Sequence, residues 1–256
     1  MKEFFGIGGY QREPEGYMSW QHLVFVSSLM VIMIVLAVVI GLINKKKDDK
    51  KKNITIIVAA ILIDAFELFK IILICTTSGE ADSWHHLLPL YLCSIQLITI
   101  PLAAFSKGRV KEAALDFVVI FGILGAVLGT YGAGQNYAAY PVLSFDNVVS
   151  GLTHTISGFT SLYIVISGMA SMKKSNMPIT FAILFCFCVA AYIANEFLGT
   201  NYMFLVRGDG TPYDIFYNLV NGNQCFYPII VAGLFVLYII AYHLIFNLIK
   251  NKVHAK

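Results

Sequence analysis

Charged side chains are scarce in this chain. Only 13% of its 256 residues are Asp, Glu, Lys or Arg, whereas 58% are hydrophobic. A soluble domain usually has roughly 25% charged residues. This scarcity excludes an ordinary soluble domain. The small net charge of +3 does not indicate a nucleic-acid partner, because the basic residues cluster where predicted helices end.

Cysteine pairing motifs and internal repeats are also missing. The five cysteines include no CxxC pair, so the sequence predicts neither a metal centre nor a disulfide framework. Cys186 and Cys188 fit ordinary helix packing. Cys75 and Cys225 both fall near the predicted outer surface and could pair in an oxidising compartment. The lack of an internal repeat argues against a transporter built from duplicated halves.

The chain contains instead a series of apolar runs of about 20 residues, the length that crosses a hydrocarbon core of roughly 30 Å. This pattern predicts an all-α, polytopic membrane helix bundle with seven transmembrane helices, forming a single domain over residues 1–256. The predicted helices lie near 22–43, 53–75, 85–105, 113–131, 148–170, 177–198 and 227–249. The first run is too long for the apolar region of a secretory signal, and we expect it to be retained.

The basic residues predict the orientation of this bundle, because loops rich in Lys and Arg stay on the cytoplasmic side. With seven helices, alternate loops place 14 of the 18 basic residues on one side and three, Lys2, Arg12 and Arg207, on the other. The remaining one, Lys70, falls inside a helix. The sequence thus predicts a multi-pass protein of the cell membrane, with its amino terminus outside and its carboxyl terminus in the cytoplasm.

Polar side chains inside the predicted helices are candidates for function, because their burial in a membrane is unfavourable. At about 1.5 Å per residue, Cys93 lies about 12 Å below the outer end of its helix and His154 about 9 Å below the outer end of its own. Glu67, Lys70 and Asn195 also fall in the outer half. We therefore expect one buried polar site at that depth.

Each of these groups also has a structural interpretation. Glu67 and Lys70 are three residues apart and can neutralise one another as an ion pair within one helix. His154 can be satisfied by the hydroxyls of GLTHTISGFTSLY, and most buried cysteines are inert. A thiol nucleophile, however, needs an imidazole to take its proton, and Cys93 shares its depth with His154.

Two glycine-containing motifs are interpreted structurally as well. Gly125 and Gly129 in ILGAVLG have the GxxxG spacing that allows helices to pack closely. The tripeptide RGD at 207–209 is common and here indicates a turn.

Three stretches resemble the bacterial YwaF-type membrane proteins and their animal relative, transmembrane protein 164. They are HHLLPLYLCSIQL at 85–97, the isolated His154, and GTNYMFL at 199–205. The resemblance implies a membrane acyltransferase in which Cys93 is the acyl-accepting nucleophile and His154 is its base. Tyr91 departs from the pattern, since it stands where the family usually has a histidine before Leu-Cys.

The leading hypothesis is a membrane-embedded acyl-transfer enzyme that acts on phospholipid or another fatty ester through Cys93 and His154. It requires no cofactor, and its partners are membrane lipids, with no nucleic acid and no obligate protein partner. Gln96 lies one predicted helical turn from Cys93, and Asn195 or Asn201 could donate hydrogen bonds to the developing oxyanion. The residues expected to bind substrate or support the site are Glu67, Lys70, Tyr91, Gln96, Asn195, Asn201 and Tyr202.

The rival hypothesis is a small membrane transporter or a solute-binding membrane subunit. It would use the buried network around Asp64, Glu67 and Lys70 to bind a polar solute or to relay protons. It accounts for the charged groups at least as well as the enzyme does. It gives no reason for Cys93 and His154 to share a depth, and it predicts that Cys93 tolerates replacement by Ser or Ala.

Overall fold

Helices are the only regular elements in the parts of the chain that the structure, a computed structural model, describes, residues 2–77 and 82–254. The predicted all-α class is confirmed for these residues. The α-helices are α1 (Trp20–Asn44), α2 (Asp49–Thr77), α3 (Gln96–Phe105), α4 (Gly108–Tyr131), α5 (Gly134–Ala139), α6 (Phe145–Ile166), α7 (Met177–Leu198), α8 (Asp214–Leu219) and α9 (Phe226–His254). Short 3-10 turns cover Ser83–His86, Lys174–Asn176 and Tyr202–Phe204.

The local sequence explains where several of these helices begin and end. Ser19 and Ser144 precede α1 and α6, and each side chain accepts a hydrogen bond from a backbone N–H of the first turn, that of His22 or Asn147. Such caps satisfy N–H groups that have no partner within the helix. Gly199 ends α7 with a φ of 67°, a left-handed conformation that glycine adopts without strain.

Five helical segments of the described chain are long and apolar enough to cross a membrane. They are Trp20–Asn44, Gly108–Ala139, Phe145–Ile166, Lys174–Leu198 and Phe226–Lys252. The protein is therefore a multi-pass helical membrane protein.

Two further helices leave the number of crossings open. α2 has 29 residues but carries Asp64, Glu67 and Lys70 within its apolar part. α3 has only 10 residues, which amounts to about 15 Å of helix. Seven crossings and the orientation of the termini thus stay predictions.

The centre of the bundle is α4. Every residue from Ala113 to Gly122 is buried, and this helix packs against α1, α3, α6 and α7. Other helices turn large apolar side chains outward, such as Val31 of α1, Phe185 of α7 and Leu237 of α9. Outward apolar faces are what a membrane requires, since lipid tails replace water as the surrounding solvent.

The loops at one end of the bundle are tied together by hydrogen bonds. The Tyr163 hydroxyl near the end of α6 donates to the Lys52 carbonyl at the start of α2, at 2.9 Å. Lys173, in the linker between α6 and α7, forms an ion pair of 2.9 Å with Glu112 in the first turns of α4. The basic loops between α1 and α2 and between α6 and α7 therefore lie at the same end.

The predicted helix over 85–105 is wrong in its first half. The other predicted ranges lie within single α-helices, except that 148–170 extends four residues beyond the end of α6 at Ile166. Ser83–His86 form a 3-10 turn, and α3 begins only at Gln96. Between them lies an irregular segment, residues 87–95, that contains Pro89. Proline lacks the N–H that a helix needs, and it disfavours helical conformation in the residue before it, which explains the break.

The irregular segment is anchored by Tyr202, a side chain that is completely buried. Its hydroxyl accepts a hydrogen bond of 3.0 Å from the N–H of Leu88 and donates to the carbonyl of His85. Irregular backbone is tolerated inside a membrane protein where other groups satisfy its polar atoms. Tyr202 provides these hydrogen bonds for the segment that leads to Cys93.

Replacement of Tyr202 by Phe should therefore destabilise the protein. The Tyr202→Phe variant leaves the N–H of Leu88 and the carbonyl of His85 without their partner, at a cost of about 1–3 kcal/mol. We expect a lower Tm in thermal unfolding of the purified protein. Tyr192→Phe, at a side chain that is 39% exposed, is the control, and equal Tm values for the two variants would contradict this role.

Candidate functional site

Cys93 and His154 meet beside α4. Cys93 lies in the irregular segment just before α3, and His154 lies in α6. The thiol and the imidazole lie close enough to influence each other electrostatically. Both residues are half-buried rather than sealed in the core. The structure thus brings together two side chains that the sequence places at the same depth but on separate elements.

Two glycines of α4 make room for this pair. A Cβ atom on Gly129 would stand 1.5 Å from Cδ2 and 1.7 Å from Nε2 of His154. A Cβ atom on Gly125, one turn earlier, would stand 3.5 Å from Cβ of Cys93. Gly125 and Gly129 form what we call the glycine face. From sequence, the GxxxG spacing indicates close packing of helices. In the structure, Gly129 leaves room for the imidazole of His154, and Gly125 borders Cys93.

A backbone carbonyl determines the tautomer of His154. Nδ1 of His154 lies 2.8 Å from the carbonyl oxygen of Ser150, one turn earlier in α6. Because a carbonyl oxygen can only accept, Nδ1 carries the proton, and the neutral ring keeps its lone pair on Nε2. Nε2 lies on the ring edge that faces Gly129. The imidazole can therefore accept a proton at Nε2, on the ring edge that faces Gly129.

Glu67 and Lys70 form the ion pair that their spacing predicts. Lys70 Nζ lies 2.6 Å from Glu67 Oε1, with side chains that are 15% and 13% exposed. Lys70 also acts electrostatically on His154. The pair therefore neutralises itself within α2 and at the same time lies near the site.

Tyr91 connects the site to the loop that follows α7. Its ring packs edge-on against Tyr202, with centroids 4.8 Å apart. It also interacts electrostatically with Cys93, Arg207 and Asp209. The two charged residues of the RGD tripeptide, which from sequence indicates only a turn, therefore lie near Tyr91. No periodicity in the sequence signals this proximity.

Gln96 retains a hydrogen-bond donor close to Cys93. Its backbone N–H bonds the Cys93 carbonyl at 3.4 Å, and its side-chain Oε1 accepts from the Thr99 hydroxyl at 3.1 Å. In the described part of the chain, the buried Nε2 of Gln96 has no hydrogen-bond partner. Buried amides are normally paired. Gln96 thus keeps an unpaired side-chain donor that is buried in the turn following Cys93.

The side chains of Asn195 and Asn201 form hydrogen bonds with the loop that follows α7. Asn195 accepts from the N–H of Tyr202 at 2.6 Å and donates to its carbonyl at 3.1 Å. Asn201 Nδ2 donates to the carbonyl of Arg207 and to Asp209, each at 2.8 Å. The predicted role of oxyanion donor does not fit Asn201, because both hydrogens of its amide are in use. The two asparagines hold the loop that positions Tyr202.

All five cysteines are free thiols. The sequence allows a disulfide between Cys75 and Cys225, but the structure does not contain this bond. Cys188 is half-buried like Cys93, but it lines an apolar groove between α7 and α9. Cys93 differs from it in having the imidazole of His154 as an electrostatic neighbour.

The chain matches a known protein family over most of its length. A family model described as the TMEM164 family matches residues 17–249. No curated protein and no solved structure matches the chain. The matched range includes Cys93, His154 and both residues of the glycine face.

The glycine face predicts different outcomes for two otherwise identical substitutions. Gly129→Ala forces a methyl group into the His154 ring, and overpacking of this kind costs about 1–3 kcal/mol. Gly125→Ala makes only an ordinary contact with Cys93. Both changes favour the helix by about 1 kcal/mol, so their difference isolates the clash. We expect Gly129→Ala to have the lower Tm, and a Tm equal to that of Gly125→Ala would refute the packing described.

Proposed function

The chain belongs to the TMEM164 family, and on that basis we propose that it is a membrane-embedded acyl-transfer enzyme of the cell membrane. Its substrate is a phospholipid or another fatty ester, with Cys93 as the nucleophile and His154 as the base. The observation that carries this proposal is that the Cys93 thiol and the His154 imidazole come together beside the glycine face. A thiol nucleophile needs a base nearby to take its proton.

In the first half-reaction the Cys93 sulfur attacks the carbonyl carbon of the acyl ester. The thiol proton passes to Nε2 of His154, while the proton on Nδ1 stays hydrogen-bonded to the Ser150 carbonyl. The tetrahedral intermediate then collapses, its C–O bond breaks, and His154 returns the proton to the leaving alcohol. The acyl group is left on Cys93 as a thioester.

In the second half-reaction an acceptor hydroxyl attacks the thioester. His154 Nε2 takes the proton of that hydroxyl, the C–S bond breaks, and the proton returns to the sulfur of Cys93. The product is a new ester, and the enzyme regains its starting state without a cofactor. Water in the acceptor's place would give hydrolysis by the same steps.

The negative charge on the intermediate's oxygen requires a hydrogen-bond donor. Gln96 Nε2 is our candidate, since this buried N–H group lacks a partner in the described chain and belongs to the turn that follows Cys93. Loss of one such donor typically lowers kcat by about 10²–10³. Lys70, paired with Glu67, adds a nearby positive charge.

We further infer that α2 and the chain from Ser83 to Phe105 complete seven crossings, with the amino terminus outside. The ion pair of Glu67 with Lys70 lowers the cost of placing α2 in the membrane. Tyr202 does the same for the irregular segment by satisfying its backbone. The basic loops at one end of the bundle would then lie in the cytoplasm.

The transporter hypothesis draws on the same charged residues of α2. Its strongest observation is that Glu67 and Lys70 are both largely buried. They are, however, bound to each other, so a solute would have to displace one of them. The enzyme hypothesis also explains Cys93, which a transporter has no need to keep.

Acyl transfer predicts a covalent intermediate. Purified protein incubated briefly with phospholipid should gain the mass of one acyl group, and hydroxylamine should remove it. The adduct should be absent from Cys93→Ala. In His154→Ala it should form about 10²–10⁴ times more slowly, because the base is missing. Intact-protein mass spectrometry measures both effects.

Cys188→Ala is the matched control for this experiment. It removes a thiol of similar burial from the groove between α7 and α9, so the adduct should be unaffected. An adduct that persists in Cys93→Ala would mean that a different residue carries the acyl group. No adduct in any form, together with wild-type lipid turnover by Cys93→Ala, would rule out acyl transfer through Cys93.

A further inference from the structure

The amino-terminal segment, residues 2–19, packs on the end of the bundle opposite the basic loops. Two helices that flank the proposed active site reach this end, since α4 ends there at Tyr131 and α6 begins there at Phe145. Gly129 lies two residues before the end of α4, and His154 lies nine residues after the start of α6, which is about 14 Å of helix. The segment therefore lies over the ends of the two helices that hold the site.

Two hydrogen bonds fasten the segment to the first turn of α6. The Tyr10 hydroxyl donates to Oδ2 of Asp146 at 2.7 Å, and a bond to a carboxylate is stronger than one between neutral groups. The N–H of Phe145 donates to the carbonyl of Phe4 at 2.8 Å. This second bond satisfies one of the N–H groups that the start of a helix leaves without an intrahelical partner. The start of α6 is thus held by the segment.

The end of α4 is covered in the same way. The Tyr17 hydroxyl donates to the carbonyl of Tyr131 at 2.8 Å. Nε2 of His22, in the first turn of α1, lies 3.2 Å from the carbonyl of Thr130. The last carbonyls of a helix have no partner within it and often bind water. Here protein side chains bind the carbonyls of the two residues that follow Gly129, so the end of α4 nearest His154 does not depend on water.

Aromatic rings join the segment to α2 as well as to α6. The rings of Phe4 and Phe5 pack against Phe145, with centroids 5.9 and 5.2 Å apart. Phe69 of α2 packs against the same ring at 5.4 Å. Phe69 directly precedes Lys70, the residue of α2 that acts on His154. The segment therefore adds an apolar layer to the helix ends around the site, and apolar surfaces keep water out.

Exclusion of water decides the product of an acyl-transfer enzyme. The thioester on Cys93 can be attacked by a lipid hydroxyl or by water. In both cases the attacking O–H gives its proton to His154, the C–S bond breaks, and the proton returns to the sulfur. A lipid hydroxyl gives a new ester, whereas water gives a free fatty acid. Closing a site against water is a general means of protecting such an intermediate.

We propose that residues 2–19 shield the Cys93 thioester from water and thereby determine its acceptor, a lipid hydroxyl that arrives through the membrane. The choice of acceptor rests on the acyl transfer proposed above, whereas the shielding of Cys93 does not. Phe4, Phe5 and Tyr10 determine this specificity by holding the segment over the site.

The shielding is measured on full-length protein in lipid nanodiscs, with the other four cysteines replaced by serine. Cys93 is modified with an anionic, a cationic and a neutral methanethiosulfonate. We expect both charged reagents, which stay in water, to react slowly with this parent protein. A triple variant, Phe4→Ala with Phe5→Ala and Tyr10→Phe, should react with them about tenfold faster or more, because the lost contacts favour an open segment. The neutral reagent, which also crosses the membrane, should react with both proteins at similar rates.

Ile7→Ala is the matched control, because it shortens an exposed apolar side chain of the same segment. It should react like the parent protein. Equal charged-reagent rates in the parent and the triple variant would overturn the proposal, and so would an equal increase in Ile7→Ala. Should the triple variant fail to fold, Tyr10→Phe decides alone, since it removes one hydroxyl. Its charged-reagent rates should exceed those of Ile7→Ala, and equal rates would overturn the proposal.

The choice of acceptor is measured as a product ratio in protein that keeps all five cysteines. Phosphatidylcholine, which has no hydroxyl of its own, is the acyl donor, and monoacylglycerol is the acceptor. The wild type and Ile7→Ala should form mainly the new ester. The triple variant should raise the ratio of free fatty acid to ester about tenfold, in proportion to the open population. A triple variant that admits charged reagents but keeps the wild-type ratio would overturn the role in acceptor choice.

Failure of the proposed function would give a different result. If no acyl adduct forms on Cys93 in any of these proteins, acyl transfer is wrong and the role in acceptor choice is wrong with it. The rates with the charged reagents would still decide whether residues 2–19 shield Cys93.

Discussion

The imidazole of His154 occupies the space in which a side chain at position 129 of α4 would stand. The arrangement of the site depends on that one missing side chain. It lets α6 approach α4 with a bulky polar ring between them, and Nε2 lies on the ring edge that faces Gly129. The Ser150 carbonyl then fixes the proton on the opposite nitrogen. Packing and acid–base chemistry are thus determined by the same contact.

A second constraint is that every backbone polar group within a membrane needs a partner. The chain before Cys93 is irregular and would be unstable there by itself. Tyr202 pairs two of its backbone groups, and Asn195 holds Tyr202 by both its N–H and its carbonyl. The residues after α7 therefore act on Cys93 indirectly, by supporting the segment that carries it.

The helices could be predicted because the length of an apolar run directly reflects the thickness of a membrane. The shared depth of Cys93 and His154 was predicted from the same count, although for Cys93 that count assumed a helix from residue 85 that the structure does not have. The break at Pro89 was not predicted, because its stability depends on Tyr202, more than a hundred residues later. The role of Gly129 was also missed, since GxxxG spacing is the same whether a backbone or an imidazole fills the gap.

The most direct test of the account is the rate at which a membrane-permeant maleimide alkylates Cys93. The other four cysteines are first replaced by serine, so that only this thiol reacts. Because the thiolate is the reactive form and the imidazole promotes it, His154→Ala should slow alkylation about tenfold or more. An unchanged rate would mean that His154 does not activate Cys93, and would contradict the central claim.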